Sequence, residues 1–432
     1  MLGLVTVFKL QHFIQESQIL LRTLALMTIL SPLGGCVSIS FQEPPQTPSS
    51  PLSRPTSSPI ASSSPLPVST ANQDILEQSW DIYRKQFIQE DGRVIDYQAS
   101  DRSTSEGQAY AMLRAVIVND PNTFDLTLTW AEDNLHRLSA KGEPTDQLWV
   151  WLWGKQPDGT WGPIDRNFAS DADIDAITAL ILAARRWNRP EYLDLARLKL
   201  RDLWEFSTFE VPGGKRYLLP GPKEAFVPSP ATIYLNPSYL APYAFRLFAQ
   251  VDPDRNWLSL VESSYQVLEK SSKVSAAGLP SDWIALDTKT GQFQPMPANS
   301  KLQSVYSFDA YRVWWRVAWD AQWFESPEAL RYLKNATQHL QKLWRSSSRI
   351  PARIDLQGKS SVNYDATSQY AMLYPALRLI DPTAAQQLLE QNLLPRYNEG
   401  IWDDESAYYT QNLAWLGLLP AKAIDPKLLK PQ

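Results

Sequence analysis

The 432-residue sequence predicts an all-α fold, an (α/α)6 barrel of six inner and six outer helices. From residue 74 onward, apolar side chains recur mostly every three or four positions, the helical period, and clear strand alternation is rare. Acidic or amide side chains recur at long intervals, with 65 residues from Glu106 to Asp171, 65 from Asp171 to Asn236 and 73 from Asn236 to Asp309. A repeating helix pair that returns the chain to the same end produces such spacing. A (β/α)8 barrel would need Val- and Ile-rich strands before each helix, and these are missing from the sequence.

The helical period predicts twelve helices, taken as alternating outer and inner members of six pairs. Their predicted ranges are 74–87, 107–119, 123–138, 172–187, 191–206, 237–250, 255–270, 307–320, 327–344, 366–379, 383–394 and 408–418. The inner helices open with the polar clusters Thr104-Ser105-Glu106, Ser170-Asp171-Ala172-Asp173, Asn236-Pro237-Ser238-Tyr239, Ser307-Phe308-Asp309, Tyr364-Asp365 and Ser406-Ala407-Tyr408-Tyr409. Helix capping explains one polar residue per helix, for example Ser105 as the cap before Glu106. It does not explain why the outer helices lack comparable clusters.

Composition narrows the classes of ligand. The net charge of -5 provides no basic surface for a phosphate backbone, so we expect no nucleic-acid partner. Seventeen Trp and eighteen Tyr either fill the core or offer flat faces for sugar rings. Three histidines and one cysteine cannot build a zinc site of ordinary spacing, so we expect no metal and no other cofactor. We also expect a monomer.

The first 72 residues predict export and tethering. Residues 1–36 contain a short apolar run that ends in Leu33-Gly34-Gly35-Cys36, which resembles a bacterial lipoprotein signal with Cys36 as the lipidated residue. The alternative is a plain secretory signal with an incidental cysteine. Residues 37–72 are rich in Ser, Pro and Thr and predict a disordered tether. We therefore expect a membrane-tethered lipoprotein that faces the periplasm or the cell exterior, with residues 73–424 as its (α/α)6 domain.

Several ordered motifs between Asp91 and Leu418 together resemble glycoside hydrolase family 8. They are Asp91-Gly92-Arg93-Val94-Ile95-Asp96, Thr104-Ser105-Glu106-Gly107-Gln108, Ala169-Ser170-Asp171-Ala172-Asp173, Asn236-Pro237-Ser238-Tyr239, Gly278-Leu279-Pro280-Ser281-Asp282-Trp283 and Asp309-Ala310-Tyr311-Arg312-Val313. Members of this family fold as (α/α)6 barrels. The resemblance implies inverting hydrolysis of a β-1,4-linked glycan.

The resemblance also implies three catalytic carboxylates. Glu106 matches the general acid, Asp309 the general base, and Asp171 a carboxylate that binds sugar at the cleavage subsite. Inversion needs a protonated and an ionised carboxyl roughly 6.5–9.5 Å apart, which two different inner helices can provide. We expect Asp171 to raise the pKa of Glu106 by like-charge repulsion. Arg312 follows Asp309 by three residues, on the same helical face, and is the candidate for keeping Asp309 ionised.

Further side chains are candidates for substrate binding. Trp149, Trp151 and Trp153 alternate, so they can lie on one side of an extended loop and stack successive sugars. The alternative is that one or two of them plug the barrel end. The remaining candidates are Asp173, Asn236, Tyr239, Arg312, Tyr408 and Tyr409. Asp365 is left outside the catalytic set, as a helix cap.

The leading hypothesis is an endo-acting β-1,4-glucanase, cellulase-like and tethered by lipid. A β-1,4-xylanase or a chitosanase would use the same acid and base, and charge does not separate these substrates. A different class of function is a catalytically silent glycan-binding lipoprotein that assists polysaccharide export. The presence of both Glu106 and Asp309 argues against that alternative.

Overall fold

The computed structural model describes residues 68–420 and 423–431. The predicted signal segment and Cys36, and the predicted tether up to residue 67, lie outside the described residues. Within those ranges, none of the helices combines the length and the apolar character that a membrane crossing requires.

The described part of the chain contains fourteen α-helices. They are α1 (Val68–Phe87), α2 (Ser105–Val118), α3 (Pro121–Asn134), α4 (Ser170–Trp187), α5 (Pro190–Ser207), α6 (Lys223–Phe226), α7 (Pro242–Val251), α8 (Trp257–Ser272), α9 (Phe308–Phe324), α10 (Pro327–Ala336), α11 (Gln338–Ser347), α12 (Thr367–Ile380), α13 (Pro382–Leu388) and α14 (Tyr408–Leu418). All twelve predicted helices are present, and the last has the predicted bounds. Helix α1 begins inside the stretch predicted as tether.

Six helices form a closed inner ring. Helices α2, α4, α7, α9, α12 and α14 each contact the next in this order, and α14 returns to α2. Helices α3, α5, α8, α10 and α13 pack outside α2, α4, α7, α9 and α12, and α1 packs against α14. The (α/α)6 barrel predicted from the sequence is therefore confirmed.

The inner helices pack closely because small residues lie where their backbones meet. Gly417 in α14 is an example: a Cβ built on it would lie 2.0 Å from the carbonyl oxygen of Ala371 in α12. No side chain larger than hydrogen fits there without separating the two helices. Helix α2 is buried over most of its length, as an inner member requires.

Short strands occupy the connections. They are β1 (Ser103–Thr104), β2 (His136–Leu138), β3 (Pro144–Trp149), β4 (Leu152–Lys155), β5 (Trp161–Asp165), β6 (Thr208–Glu210), β7 (Arg216–Leu218), β8 (Thr232–Leu235), β9 (Ile284–Asp287), β10 (Phe293–Gln294), β11 (Tyr397–Asn398) and β12 (Ile401–Trp402). Two three-stranded sheets have the orders β1-β4-β5 and β10-β9-β8, and the other strands pair as hairpins. All pairs are antiparallel. Strands of two to six residues leave the fold all-α.

Local details differ from the predicted boundaries. The cap of α2 is Thr104, whose side chain accepts a hydrogen bond from the backbone N–H of Gly107 at 3.0 Å, so the prediction of Ser105 as the cap was wrong by one residue. The helix predicted over 327–344 is divided at Thr337, and the one predicted over 383–394 ends in the π-helical turn Leu389–Leu393.

Candidate active site

The guanidinium group of Arg312 lies at the centre of the candidate site. Its Nη1 donates hydrogen bonds to Glu106 Oε2 at 2.6 Å and to Asp171 Oδ2 at 2.7 Å. Its Nη2 donates to Asp309 Oδ1 at 2.9 Å and to Ser238 Oγ at 3.2 Å. The three carboxylates predicted to be catalytic therefore surround one buried cation. The predicted pair between Asp309 and Arg312 is confirmed.

The ring geometry explains how residues so distant in sequence meet. Glu106, Asp171 and Asp309 each lie in the first turn of a different inner helix, namely α2, α4 and α9. The positive end of each helix dipole favours a carboxylate in that turn. The exposed fractions of the three side chains are 13%, 3% and 27%, so Asp309 is the most accessible to solvent. We call these three carboxylates together with Arg312 the rim layer.

Glu106 is held through its second oxygen as well. Tyr408, from the first turn of α14, donates its hydroxyl to Glu106 Oε1 at 3.0 Å and lies 3.2 Å from the hydroxyl of the helix cap Thr104. The pKa of Glu106 is raised to about 7: burial is the largest cause, Arg312 and Tyr408 lower the pKa, and the nearby Asp171 and Asp309 raise it. The expected effect of Asp171 is thus present, but burial is the larger cause.

Asp309 is positioned by the segment before α7. Asn236 donates from Nδ2 to Asp309 Oδ2 at 3.2 Å. The side-chain oxygen of Asn236 accepts from the backbone N–H of Ser238 at 3.0 Å and from its hydroxyl at 2.7 Å. Ser238 also contacts Arg312, although sequence reasoning did not select it. Its place in the polar cluster Asn236-Pro237-Ser238-Tyr239 was the available signal.

Two predicted tyrosines complete the surroundings of Arg312. The Arg312 guanidinium carbon lies 5.3 Å from the centre of the Tyr239 ring, close enough for a cation–π contact. Burial, followed by the charges of Asp171 and Asp309, raises the pKa of Tyr239 well above its ordinary value, so its hydroxyl stays protonated. Tyr409 donates its hydroxyl to the backbone carbonyl of Phe308 at 2.9 Å. It therefore braces the first turn of α9, which carries Asp309.

Two predicted substrate contacts belong to the core. Trp149 is fully buried, its indole N–H donates to Glu132 Oε1 at 3.0 Å, and the Lys199 ammonium lies 4.3 Å from its ring centre. Asp173 is also fully buried and accepts from the backbone N–H of Trp149 at 3.2 Å. Neither side chain can reach a sugar, so both predictions were wrong. Burial raises the pKa of Asp173 to about 8, against the opposing charge of Lys199.

Trp151 and Trp153, the other two tryptophans of the alternating run, do not lie along one side of an extended loop as the sequence predicted. Trp151 is 3% exposed, and its carbonyl accepts from the backbone N–H of Ser105 at 3.1 Å, which ties this loop to the start of α2. Trp153 is half-buried and packs edge-on against Trp130, at 5.2 Å between ring centres. The exposed tryptophan of the region is Trp161, in β5.

A second buried cluster lies one helical turn deeper in the barrel. Arg316 donates from Nη1 and Nη2 to the two oxygens of Asp175, at 2.7 and 2.8 Å, and Tyr243 donates its hydroxyl to Asp175 Oδ1 at 3.2 Å. We call these residues, with Tyr110, the lower layer. Three of its members follow predicted site residues by four positions, namely Asp175, Arg316 and Tyr110 after Asp171, Arg312 and Glu106. That helical spacing was an available signal for them.

Asp365 lies outside this arrangement. Its Oδ2 accepts from the hydroxyl of Tyr370 at 2.8 Å and from Nη2 of Arg396 at 2.7 Å. The prediction that it caps its helix was wrong: it is an ion-pair partner of Arg396, and the cap residue of α12 is Ala366.

Known proteins resemble this chain in sequence and in structure. The family model described as "Glycosyl hydrolases family 8" matches residues 60–422. An endoglucanase of Xanthomonas axonopodis pv. citri (strain 306) is 37% identical over 244 residues, which are 56% of this chain and 60% of the relative. The chain thus spans about three fifths of that protein's length. An endoglucanase of Escherichia coli (strain K12) is 31% identical over 315 residues, which cover 72% of this chain and 79% of the relative.

A solved structure agrees with these matches. The endo-1,4-D-glucanase of Vibrio fischeri ES114 superposes with a TM-score of 0.64 at 29% identity, over 79% of this chain and 93% of that one. The match to the family model includes the inner-ring helices that carry the three carboxylates. The chain belongs to glycosyl hydrolases family 8.

Proposed function

We propose that the protein is an endo-acting β-1,4-glucanase that cleaves the glycosidic bond with inversion. The observation that carries the proposal is the bridge of Arg312 between Glu106 and Asp309, which holds two carboxyl groups from different helices at one rim of the barrel. The relatives named as endoglucanases support the choice of a glucan, and the similar Vibrio fischeri structure, named as an endo-1,4-D-glucanase, supports the 1,4 linkage. The polysaccharide is the substrate, and the residues named below act on it directly.

Glu106 is suited to be the general acid. With its pKa raised to about 7 by burial, a substantial fraction of this carboxyl is protonated near neutral pH. It donates that proton to the glycosidic oxygen as the bond from the anomeric carbon to this oxygen breaks. A sugar in the cleft would exclude more water and favour the protonated form further.

Asp309 is suited to be the general base. It is the most exposed carboxylate of the rim layer, and Arg312 and Asn236 fix one oxygen each. It takes a proton from a water molecule, whose oxygen attacks the anomeric carbon on the face opposite the leaving group. Arg312 joins Glu106 to Asp309 through two hydrogen bonds and its guanidinium group. The nearest oxygens of the two carboxyl groups therefore lie at most about 8 Å apart. That limit reaches the range of roughly 6.5–9.5 Å found for inverting pairs.

Asp171 is suited to bind the sugar at the cleavage subsite. Its side chain is nearly buried, and one of its oxygens is held by Arg312. Its fixed negative charge also stabilises the positive charge that develops on the sugar ring at the transition state. Tyr239 contributes an aromatic wall to the same space.

The test compares carboxymethyl-cellulose, xylan and chitosan as substrates. We expect wild-type protein to release reducing ends from carboxymethyl-cellulose and to lower its viscosity early, as internal cleavage does. Glu106→Gln and Asp309→Asn should each lower kcat by about 10²–10⁴-fold. Glu191→Gln, on the surface of α5, is the matched control and should retain activity. Anomers followed by NMR should show inverted products at first.

Two results would overturn the proposal. Retained anomers would exclude Asp309 as an inverting base. A wild-type protein that releases nothing from any of the three polymers would favour glycan binding without catalysis.

We also propose that Cys36 carries a lipid that holds the enzyme on a membrane, facing the periplasm or the cell exterior. The sequence Leu33-Gly34-Gly35-Cys36 after an apolar run supports this proposal, as does the Ser- and Pro-rich stretch that follows. In a bacterial host that processes lipoproteins, wild-type protein should sediment with membranes and Cys36→Ser should not. Equal sedimentation of the two proteins would contradict the anchor.

A further inference from the structure

Trp161 differs from the other tryptophans of this chain in its exposure. All 17 tryptophans lie within the described residues, and Trp161 alone is an exposed side chain, with 48% of its surface accessible. A large aromatic ring on the surface loses the stabilisation that burial gives the others. Tryptophan is also enriched at binding interfaces, where its flat ring packs against an apolar face.

The ring of Trp161 is held in a fixed orientation. It stacks on Trp153 with ring centres 5.4 Å apart and an angle of 27° between the planes. The Arg93 guanidinium carbon lies 4.6 Å from the centre of the Trp161 ring and 4.7 Å from that of Trp153. Arg93 is anchored in turn, because its Nε donates to Ser103 Oγ at 2.8 Å. A ring ordered in advance loses little conformational entropy when a ligand stacks on it.

The sheet β1-β4-β5 places this ring beside the catalytic site. Strand β1 ends at Thr104, the cap of α2, which carries Glu106. Trp153 pairs with Ser103 of β1, and Trp161 pairs with Lys155, two residues beyond Trp153. Side chains two residues apart share one face of a sheet, so Trp153, Lys155 and Trp161 lie on the same face.

That face is not the one that meets the catalytic residues. Thr104 alternates with Ser103 and contacts Tyr408, the hydrogen-bond donor to Glu106. Trp153 instead packs against Trp130 of the outer helix α3. Trp161 is therefore attached to the element that starts the catalytic helix but projects on its outer side.

We propose that Trp161, on the base of Trp153 and Arg93, is a glucan-binding platform outside the catalytic cleft. The proposal rests on the proposed function for its choice of ligand. A β-1,4-linked glucan is a ribbon with apolar C–H faces and hydroxyl groups along its edges. The indole face matches the C–H face, and the exposed Lys155, opposite Trp161 in the register, can donate to the hydroxyl edge. The platform holds a polymer long enough to reach beyond the cleft.

The experiment measures chain-length-dependent binding in the inactive Glu106→Gln background. Affinity for soluble carboxymethyl-cellulose is measured by affinity electrophoresis, and affinity for cellotetraose by calorimetry. We expect Trp161→Ala to weaken polymer binding about tenfold. The same substitution should weaken tetraose binding by no more than about twofold. Trp161→Phe, which keeps a ring, should restore most of the polymer affinity. Phe206→Ala removes an exposed ring from α5 and is the matched control for a loss of surface area.

The outcomes separate this inference from the proposed function. Polymer affinity that is equal in Trp161→Ala and Phe206→Ala would overturn the platform, and so would an equal loss for polymer and tetraose. A protein that hydrolyses no glucan but binds the polymer through Trp161 would support the platform and overturn the hydrolase. A protein that neither binds nor hydrolyses β-1,4-glucan would overturn both.

Discussion

The rim layer and the lower layer of the barrel each hold one buried arginine, but they differ in the number of carboxylates that contact it. In the lower layer, Arg316 meets one carboxylate, Asp175, through two parallel hydrogen bonds, and both side chains are almost fully buried. In the rim layer, Arg312 meets three carboxylates, one of which is 27% exposed. One turn of helix separates the two arrangements.

This difference in the number of carboxylates distinguishes the ion pair of the lower layer, which stabilises the fold, from the reactive set of the rim layer. A one-to-one pair with bidentate geometry compensates its own charge, although burial still raises the pKa of Asp175 against the opposing effect of Arg316. Three carboxylates around one guanidinium leave negative charge uncompensated in a buried space, so one of them takes up a proton at an unusually high pH. Glu106 is that group, with a pKa raised to about 7, mainly by burial. The predictions below test this contrast.

The largest effect is expected in the lower layer. Asp175→Asn leaves the Arg316 guanidinium buried without its counter-charge, so the free energy of unfolding should fall by about 3–5 kcal/mol. Urea denaturation at neutral pH measures the change. Asp81→Asn breaks an exposed pair with Arg84 and is the control, with an expected change of less than about 1 kcal/mol. Equal small losses in both variants would show that the lower layer is not a stabilising pair.

A second prediction concerns stability and pH at Glu106. The folded protein binds this proton more tightly than the unfolded chain does, with a pKa of about 7 against 4.5. The wild type therefore loses stability as the pH rises through this window, and Glu106→Gln does not. Relative to wild type, the variant should gain about 3 kcal/mol between pH 4 and pH 8. The free energy of unfolding of each protein is measured by denaturation at a series of pH values. If the difference between the two proteins stays constant from pH 4 to pH 8, the raised pKa is contradicted.

A third prediction concerns the like charge beside the general acid. Asp171→Asn removes a carboxylate that raises the pKa of Glu106, so the alkaline limb of kcat/KM should move to lower pH by about one unit. Asp175→Asn, one turn below, should move the limb by less than about half as much because it is farther from Glu106. A limb that stays in place in Asp171→Asn would show that the rim carboxylates do not act as one coupled set.

The smallest effect is expected from a pair of tyrosines. Tyr408→Phe removes a hydrogen bond that stabilises ionised Glu106, so the alkaline limb should move to higher pH by about half a unit. Tyr243→Phe removes the matching hydroxyl from Asp175 and should leave the limb unchanged. If the alkaline limb moves by the same amount in both variants, the cause is a general change in the barrel and not the loss of the hydrogen bond from Tyr408 to Glu106.

The helical period predicted the ring and the polar clusters at the starts of its helices, and the resemblance to glycoside hydrolase family 8 selected the carboxylates of the rim. Inner helices of similar spacing bring Glu106, Asp171 and Asp309 to one end, and Asp309 and Arg312 share a helical face. Trp149 was misjudged because the alternating pattern was interpreted as one side of a single extended loop. In the structure, β3 ends at Trp149 and β4 starts at Leu152, so the run does not share one solvent-facing side. Contacts between distant segments, such as Lys199 with Trp149, leave no local pattern.

The inner ring closes through α14, so the candidate active site is complete only when the chain has been synthesised almost to the end of the barrel. Tyr408 reaches Glu106 from 302 residues further along the sequence, and the first outer helix, α1, packs against α14. A ribosome must therefore synthesise almost the whole barrel before Glu106 acquires its hydrogen-bond donor Tyr408 and α1 acquires its packing partner α14. Contacts of such long range form late and slowly. An incompletely synthesised chain would thus hold Glu106 without the hydrogen bond from Tyr408 and without the packing between α1 and α14.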